Sequence, residues 1–387
     1  MRLAAGPDKT LLEFGLRRAQ GPDGGLSASK YAYIGGFDGT SHVLAGKLFG
    51  INVRGTHAHS FVMSYTGFEN LLTTTIATAN NPQVQVEFVE LVLQKRKLLN
   101  YEKTNDSELA AFIAYAQSFP RGVVALVDTY DTLSSGVPNF ICVALALHDL
   151  GYKAIGIRLD SGDLAYLSTA ARRLFAEVDA KFVKAPLLVN CNIAASNDIN
   201  EEVLLSLNRQ GHEIDTFGIG THLVTCQQQP ALGCVFKLVE INGKPRIKLS
   251  QEAEKLVIPT KKKVFRLFGK DKHSLVDVMQ LEDEPDPVAG QRILVRDPFV
   301  ESKRVHVVPD RVEALLILTF DGAEPFGAVV PKSIEDSKTK CKQDLAMMRP
   351  DHIRPLNPTP YKVSVSQALY DYMHELWMKE APIAELV

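Results

Sequence analysis

The 387-residue sequence has few of the features that mark membrane-spanning, secreted or nucleic-acid-binding chains. No apolar run approaches the roughly 18 residues that a membrane helix needs. The N-terminal stretch MRLAAGPDKT has no apolar core of the kind found in signal peptides. The formal net charge of −2 argues against a polyanion-binding chain. We therefore expect a cytoplasmic (cytosolic) protein with no membrane and no nucleic-acid partner.

Cysteine is also scarce. The five cysteines are dispersed along the chain, and none forms a CxxC pair. An odd, scattered set favours reduced thiols and a cytosolic setting over a disulfide framework or a zinc site. We therefore assign no metal ion directly to protein side chains.

A repeated strand–loop–helix pattern is present instead, with about seven units in residues 1–235. Alternation of this kind predicts a parallel sheet with helical crossovers. Polar residues at many strand ends favour a closed or nearly closed irregular (β/α) barrel over an open sheet. A helical region is expected over residues 69–117. The strands are expected within the following segments: LLEFGLRR, INVRGTHAHS, VVALVDTYDT, KAIGIRLD, PLLVNCN and EIDTFGIGTH.

The pattern changes near residue 232, where short alternating runs replace strand–helix units. CVFKLVEINGKPRIKLS contains two such runs about Asn242–Gly243, which is a strong hairpin signal. Helices are expected over 337–350 and 364–380. Residues 236–387 are therefore predicted to form a smaller, incomplete α+β domain beside the α/β barrel domain of residues 1–235.

The segment RLDSGD places Arg158, Asp160, Ser161 and Asp163 just after a predicted buried strand. Ligands bind at the carboxyl ends of strands in α/β barrels and open α/β sheets, so these side chains are candidates for a binding site. A structural interpretation stays open at this point. Ser161 can simply cap the following helix, and Arg158 can pair with Asp160 as a local ion pair.

Two further segments predict phosphate chemistry. The loop of Gly218, Gly220 and Thr221 lets backbone N–H groups approach a phosphate, and Ser196-Asn197-Asp198 follows the neighbouring predicted strand. Residues 244–272 hold ten Lys or Arg against three Asp or Glu. A solvated face and a nucleic-acid surface are alternatives for that basic segment. We favour a polyphosphate site, because aromatic residues do not interleave with the basic ones in the way that base-stacking platforms would.

His57 and His59 follow the predicted strand INVR and form an HxH pair. Such a pair can bind a metal ion, but no suitably spaced carboxylate completes the ligand set. A partly exposed histidine near phosphates can also act as a nucleophile or as an acid or base. A third possibility is a histidine with a purely structural role.

Five ordered motifs, GFDGTS, GTHAHSF, RLDSGDL, ASNDINEE and FGIGTHLVT, resemble nicotinate phosphoribosyltransferases. The resemblance implies a type II phosphoribosyltransferase fold, with an irregular barrel and an open sandwich domain, acting as a homodimer. It implies conversion of nicotinate and phosphoribosyl pyrophosphate into nicotinate mononucleotide and pyrophosphate, a step of NAD salvage. ATP hydrolysis would be coupled to the reaction, and Mg²⁺ would accompany the pyrophosphate.

The resemblance also implies a role for each matching residue. His59 would be the histidine that ATP phosphorylates, and Asp128 and Asp160 would face the ribose and the cation that forms on it. Nicotinate would meet Arg17, Thr56 and Arg158. The phosphoribosyl group would meet Ser161, Gly162, Asn197, Asp198, Gly218, Gly220 and Thr221. Pyrophosphate would meet Lys248 and Lys255.

The chain also departs from the family pattern. His42 stands where the family often has asparagine, and Thr260 follows Pro259 where many members have glycine. Compared with the family, the chain is expected to be shortened at its N-terminus and to have little activity alone. Two alternative functions stay open: an inactive chain that associates with full-length subunits, and another barrel enzyme that acts on a phosphosugar.

Overall fold

A parallel sheet forms the centre of the first of two compact units, which comprise residues 1–230 and 231–387. The computed structural model describes residues 1–231, 233, 235–248, 257–318 and 332–381. The strands of the first unit are β1 (Thr10–Glu13), β2 (Gly39–Thr40), β3 (Thr75–Ala77), β4 (Gln85–Glu87), β5 (Val124–Leu126), β6 (Gly156–Leu159), β7 (Asn192–Ala195) and β8 (Thr216–Ile219).

Six of these strands pair in the order β2-β1-β8-β7-β6-β5, and every neighbouring pair is parallel. Parallel neighbours need crossover connections, which helices supply here. The helices of this unit are α1 (Arg2–Ala5), α2 (Gly21–Ile34), α3 (Val43–Phe49), α4 (His59–Met63), α5 (Phe88–Leu98), α6 (Asp106–Ser118), α7 (Val137–Asp149), α8 (Leu164–Val178), α9 (Glu201–Gln210) and α10 (Thr221–Thr225).

The first unit is thus a mixed α/β fold around a parallel sheet. The predicted barrel of seven strands is not confirmed, because the described strands give a six-stranded sheet. Beyond β2, an isolated parallel bridge joins Thr40 to Val53. After Val53 the described part of the chain makes no further strand pairs with this edge. At the opposite edge of the sheet, the Leu126 N–H of β5 donates a hydrogen bond to the His57 side chain. A side-chain hydrogen bond therefore takes the place of a neighbouring strand at Leu126.

Two local predictions are wrong. In the helical region predicted from residue 69, only a 3-10 turn at Phe68–Asn70 precedes Phe88, where the first α-helix begins, because β3 and β4 form an antiparallel hairpin in between. The strand predicted at Pro186–Asn192 is instead a series of turns, and β7 starts at its last residue. The buried Asp179 carboxylate accepts hydrogen bonds from the Leu188 and Val189 N–H groups at 3.0 and 2.9 Å, which fixes those turns.

A buried polar network supports the loop that follows β5. Glu108, in the first turn of α6, is fully buried and accepts hydrogen bonds from Ser135 and Asn139 at 2.6 and 3.0 Å. Ser135 lies in a π-helical turn, Thr132–Gly136, which leads from that loop into α7. Burial raises the pKa of Glu108 to about 7, although both hydrogen bonds oppose the shift.

The second unit contains the strands β9 (Glu240–Ile241), β10 (Lys244–Pro245), β11 (Lys262–Phe268), β12 (Ser274–Leu281), β13 (Ile293–Arg296), β14 (Arg304–Val307), β15 (Arg311–Ala314) and β16 (Val363–Ser366). β9 and β10 form a small hairpin, and the other six form a separate, mainly antiparallel sheet in the order β14-β13-β16-β12-β11-β15. The helices of this unit are α11 (Ile334–Ala346), α12 (Pro350–Ile353) and α13 (Gln367–Glu380). No helix among the described residues is both long and apolar enough to cross a membrane.

The hairpin predicted at Asn242–Gly243 is confirmed, and both residues have the positive φ (50° and 69°) that such a tight turn requires. Thr260 also has a positive φ, 64°. A β-branched residue rarely adopts that conformation, whereas glycine, which many family members have at this position, adopts it readily. The Thr260 hydroxyl and N–H donate to Glu240 and to the Val239 carbonyl at 2.8 and 2.9 Å, and these bonds hold the loop.

The close contact of β6 with β7 generates a stability prediction. A Cβ atom on Gly156 would lie 1.8 Å from the Asn192 carbonyl oxygen, which is backbone and cannot rotate away. We expect Gly156→Ala to lower the free energy of unfolding by roughly 1–3 kcal/mol, as overpacking does. Gly122→Ala is the control, since its Cβ would meet its nearest neighbour at 3.7 Å. Urea unfolding followed by circular dichroism checks this, and equal midpoints for both variants would contradict it.

Glu108 generates a pH prediction. Its folded pKa of about 7 exceeds its ordinary value of 4.5, so the folded state favours the protonated carboxyl. The contribution of Glu108 to the free energy of unfolding is therefore greatest below pH 4.5 and is lost as the pH rises through 7. The total change is about 3 kcal/mol. Glu108→Gln should remove that slope, whereas the exposed Glu102→Gln should keep it. The measurement is unfolding free energy against pH, and parallel wild-type and Glu108→Gln curves would refute the assignment.

Candidate active site

Loops at the carboxyl end of the parallel sheet enclose a cavity of about 410 Å³. It receives residues from the ends of β1, β6, β7 and β8, which lie side by side in the sheet. Residues predicted from the sequence make up most of its lining: Arg17, Arg158, Asp160, Asn197, Asp198, Gly218, Gly220 and Thr221. The remaining lining residues are Phe14, Gly15, Arg18 and Ser196.

Arg158 makes the most hydrogen bonds of the three arginines that line the cavity. Its guanidinium donates to Ser196, Thr56 and Asp160 at 2.8, 3.0 and 3.1 Å, and it stacks 5.5 Å from the centre of the Phe14 ring. The ion pair with Asp160 anticipated as a structural alternative therefore exists, and the same pair lines the cavity. A guanidinium fixed by three different partners presents its other N–H groups in one orientation, which suits a carboxylate ligand.

Asp128, which follows β5, has a side chain that is only 2% exposed. One carboxylate oxygen lies 3.1 Å from His59 Nε2, and the other accepts from the Asp160 N–H at 3.2 Å and from the Ser161 hydroxyl. Ser161 does not cap α8, because the Asp163 carboxylate occupies that position and accepts from the Tyr166 N–H. Ser161 therefore contributes to the site through Asp128.

The two histidines of the HxH pair have different surroundings. His59 is 37% exposed and contacts Asp128. His57 is turned toward β5 and accepts a hydrogen bond from the Leu126 N–H at 3.1 Å. The pKa of His57 is lowered to about 4, chiefly by burial and to a smaller extent by the positive charges of Arg158 and His59, although the hydrogen bond to Ala58 opposes the shift. Within the described ranges, no group of three or more His, Cys, Asp or Glu side chains is arranged to hold a metal ion.

Gly218, in β8, and Gly220, directly after it, have a structural explanation in their contacts with Phe14. A Cβ on Gly218 would lie 2.5 Å from the Phe14 ring, and a Cβ on Gly220 would lie 3.1 Å from the Phe14 carbonyl. Thr221 follows them and accepts a hydrogen bond from Arg18 at 2.9 Å. Phe14 can therefore approach both positions this closely only because neither has a side chain.

The loop after β7 has the most unusual backbone of the site. Asn197 and Asp198 have φ values of 124° and 50°, so both lie on the positive side that most residues avoid. His222 Nε2 lies 3.1 Å from the Asp198 carboxylate and connects this loop to α10. Strain of this kind is typical of functional loops and needs surrounding contacts to persist.

Glu13 is a buried carboxylate that the sequence reasoning missed. It ends β1, is 1% exposed, and accepts hydrogen bonds from Ser29 and Thr40 at 2.7 and 2.6 Å and from the Gly15 N–H. These bonds fix the start of the loop that carries Phe14, Arg17 and Arg18. The sequence feature that could have revealed it is a charged residue within the otherwise apolar run LLEF.

Other site residues were also missed, and some predicted ones lie elsewhere. Phe14, Arg18 and His222 were not assigned, although each lies near a motif residue. Ser161 and Gly162 stand after β6, outside the lining of the cavity. Lys248 is exposed on the second unit, and Lys255 lies outside the described residues.

Comparison with known proteins agrees with this architecture. The family model for the nicotinate phosphoribosyltransferase C-terminal domain matches residues 261–373. Nicotinate phosphoribosyltransferase 1 of Arabidopsis thaliana is 54% identical over all of this chain and 70% of its own length. The Dictyostelium discoideum nicotinate phosphoribosyltransferase is also 54% identical, over all of this chain and 66% of its own length.

A solved structure gives the same result. The crystal structure of human nicotinic acid phosphoribosyltransferase superposes with a TM-score of 0.82 at 40% sequence identity. The match covers 97% of this chain and 72% of the human chain. Identity at this level over nearly the whole chain, with the same fold, shows that the chain belongs to the nicotinate phosphoribosyltransferase family.

Proposed function

We propose that the chain transfers the phosphoribosyl group of phosphoribosyl pyrophosphate to nicotinate, forming nicotinate mononucleotide and pyrophosphate. The observation that carries the proposal is the juxtaposition of an arginine-lined cavity with the carboxylates of Asp128 and Asp160. Cationic groups suit an anionic base and phosphates, whereas carboxylates suit a transition state with positive charge on the ribose. The names of the relatives support the same reaction.

Nicotinate would lie against Phe14, with its carboxylate toward Arg17 and Arg158. Arg17 is exposed and has no hydrogen bond or ion pair to any residue that the structure describes, so its guanidinium is available to a ligand. Thr56 would act by orienting Arg158 through their 3.0 Å hydrogen bond. This arrangement supplies charge and a flat apolar surface, the two features that an aromatic carboxylate requires.

At the reacting carbon, the nicotinate ring nitrogen would form a bond to C1 of the ribose while the C1–O bond to pyrophosphate breaks. The bonding electrons leave with the pyrophosphate oxygen. Asp160, whose carboxylate lines the cavity, would stabilise the positive charge that develops on the ribose ring. Asp128, which is buried and hydrogen-bonded to the Asp160 N–H, would fix the position of that residue.

The ribose 5-phosphate would bind the loop of Gly218, Gly220 and Thr221 together with Asn197 and Asp198. Backbone N–H groups can approach a phosphate there because the glycines have no Cβ. Ser161 and Gly162 would contact the phosphoribosyl group from the β6 side. Lys248 and Lys255 would meet the pyrophosphate, and Mg²⁺ would arrive with it as part of the substrate.

ATP would transfer its terminal phosphoryl group to His59. The Asp128 carboxylate accepts a hydrogen bond from the Nε2–H tautomer, which leaves the lone pair on Nδ1. A partly exposed imidazole oriented in this way is a suitable nucleophile. Hydrolysis of the phosphohistidine would then couple ATP to nucleotide formation.

The remaining expectations from the family resemblance are part of the same proposal. The chain would act as a homodimer in the cytosol. The parallel sheet, extended by the bridge at Val53 and the His57–Leu126 hydrogen bond, would correspond to the irregular barrel of the type II phosphoribosyltransferase fold.

The choice of base provides the central test. Purified chain is incubated with isotope-labelled nicotinate or nicotinamide, with and without ATP, and the mononucleotide product is counted. We expect nicotinate to be the preferred base, because charged hydrogen bonds to its carboxylate are worth about 1.5–3 kcal/mol each. Arg17→Met should lower kcat/KM for nicotinate by roughly 10- to 150-fold. The control Arg209→Met alters an exposed residue of α9, and equal turnover of both bases would sink the assignment.

The phosphorylation step has its own test. Incubation with γ-³²P-labelled ATP should yield an acid-labile label on the peptide that contains His59. His59→Ala should abolish both the label and the stimulation by ATP while slow, ATP-independent transfer persists. His212→Ala is the matched control, because that histidine lies on the loop before β8. A label that peptide sequencing assigns to His57 would show that the nucleophile has been misassigned.

A further inference from the structure

We infer that His57 is a positioning residue: its neutral ring fastens the segment 55–59 to the edge of β5 and so holds Thr56 on Arg158 and His59 on Asp128. The catalytic consequence of this inference rests on the function proposed above. The fastening itself is a structural claim that does not depend on it.

The backbone of β5 requires such a partner. β5 is the last strand in the sheet, and Leu126 pairs with Arg158 of β6 on its other side. Leu126 is 1% exposed, so a free N–H group would be buried without water. Leaving a buried donor unpaired costs about 1–3 kcal/mol. His57 Nε2 accepts that hydrogen bond at 3.1 Å, which removes the cost.

The ring of His57 is itself firmly held. It packs against Tyr115, Phe61 and Phe112, with ring centroids 4.9, 5.3 and 6.0 Å away. Its Nδ1 lies 3.4 Å from the Ala58 carbonyl. Acceptance at Nε2 places the proton on Nδ1, where it faces that carbonyl. Burial lowers the pKa to about 4, so this neutral tautomer persists at neutral pH.

The residues on either side of His57 both contact the candidate active site. Thr56, directly before it, accepts the 3.0 Å hydrogen bond from Arg158. His59, two residues after it, lies 3.1 Å from Asp128. The hydrogen bond of His57 to β5 therefore fixes a segment that carries both Thr56, which orients the proposed nicotinate ligand Arg158, and His59, the proposed phosphohistidine.

A matched pair of variants separates the hydrogen bond from the ring packing. His57→Gln keeps an acceptor that can reach the Leu126 N–H, whereas His57→Phe keeps an aromatic ring and has no acceptor. In His57→Phe we expect amide exchange at Leu126 to be about tenfold faster, in line with the cost of an unpaired buried donor. Nicotinate turnover should fall by a similar factor with the fold intact by circular dichroism. His57→Gln should restore most of both quantities.

A measurement on the unmodified protein keeps the inference testable if His57→Phe fails to fold. In a ¹⁵N-histidine spectrum of the wild type near pH 7, the His57 signals should report a protonated Nδ1 and an unprotonated Nε2. Assignment comes from the signals that vanish in His57→Gln. A protonated Nε2, or wild-type Leu126 exchange and turnover in His57→Phe, would overturn the inference. If the wild type forms no nicotinate mononucleotide, the proposed function fails, while the tautomer and the amide exchange still decide whether His57 fastens β5.

Discussion

The arrangement of the site depends on the need to satisfy one buried carboxylate, that of Asp128. An ionised side chain that is 2% exposed is tolerated only when hydrogen bonds replace its lost water. Those bonds come from His59 at the start of α4 and from Asp160 and Ser161 after β6. Asp160 in turn bonds Arg158, so positive and negative groups are fixed relative to each other through a single residue. Segments far apart in the sequence are held in register by these charges.

Much of the fold of the first unit could be predicted from local sequence. β5, β6 and β8 are apolar runs followed by polar residues, which is the pattern of strands buried on both faces. The position of β7 could not be predicted in the same way. Its sequence, NIAA, has weaker strand character than the preceding PLLVN. The pairing with β6 nevertheless makes NIAA the strand, and the hydrogen bonds that Leu188 and Val189 donate to Asp179 keep the preceding segment in turns. Such long-range contacts are absent from a local pattern.

The site shows a similar division. Motif residues at strand ends were predictable because ligand-binding groups collect at the carboxyl ends of parallel strands. Phe14 was not, because nothing in FGLRR distinguishes a ring that lies over Gly218 from an ordinary core residue. The role of Glu108 was equally hidden. A glutamate in the first turn of a helix is normally an exposed partner of the helix dipole, and only its tertiary contacts with Ser135 and Asn139 bury it.

The pairing of β1 with β8 also has a consequence for how the chain is made. Thr10 lies opposite Thr216, so the first strand of the sheet has no neighbour on that side until β8 has been synthesised. At 5–20 residues per second, the ribosome needs on the order of 10–40 s to add the intervening chain. During that interval Leu11, which is fully buried in the folded protein, belongs to a strand that still lacks its β8 neighbour. The nascent segment that contains β1 is therefore a natural client for a chaperone that shields short apolar segments.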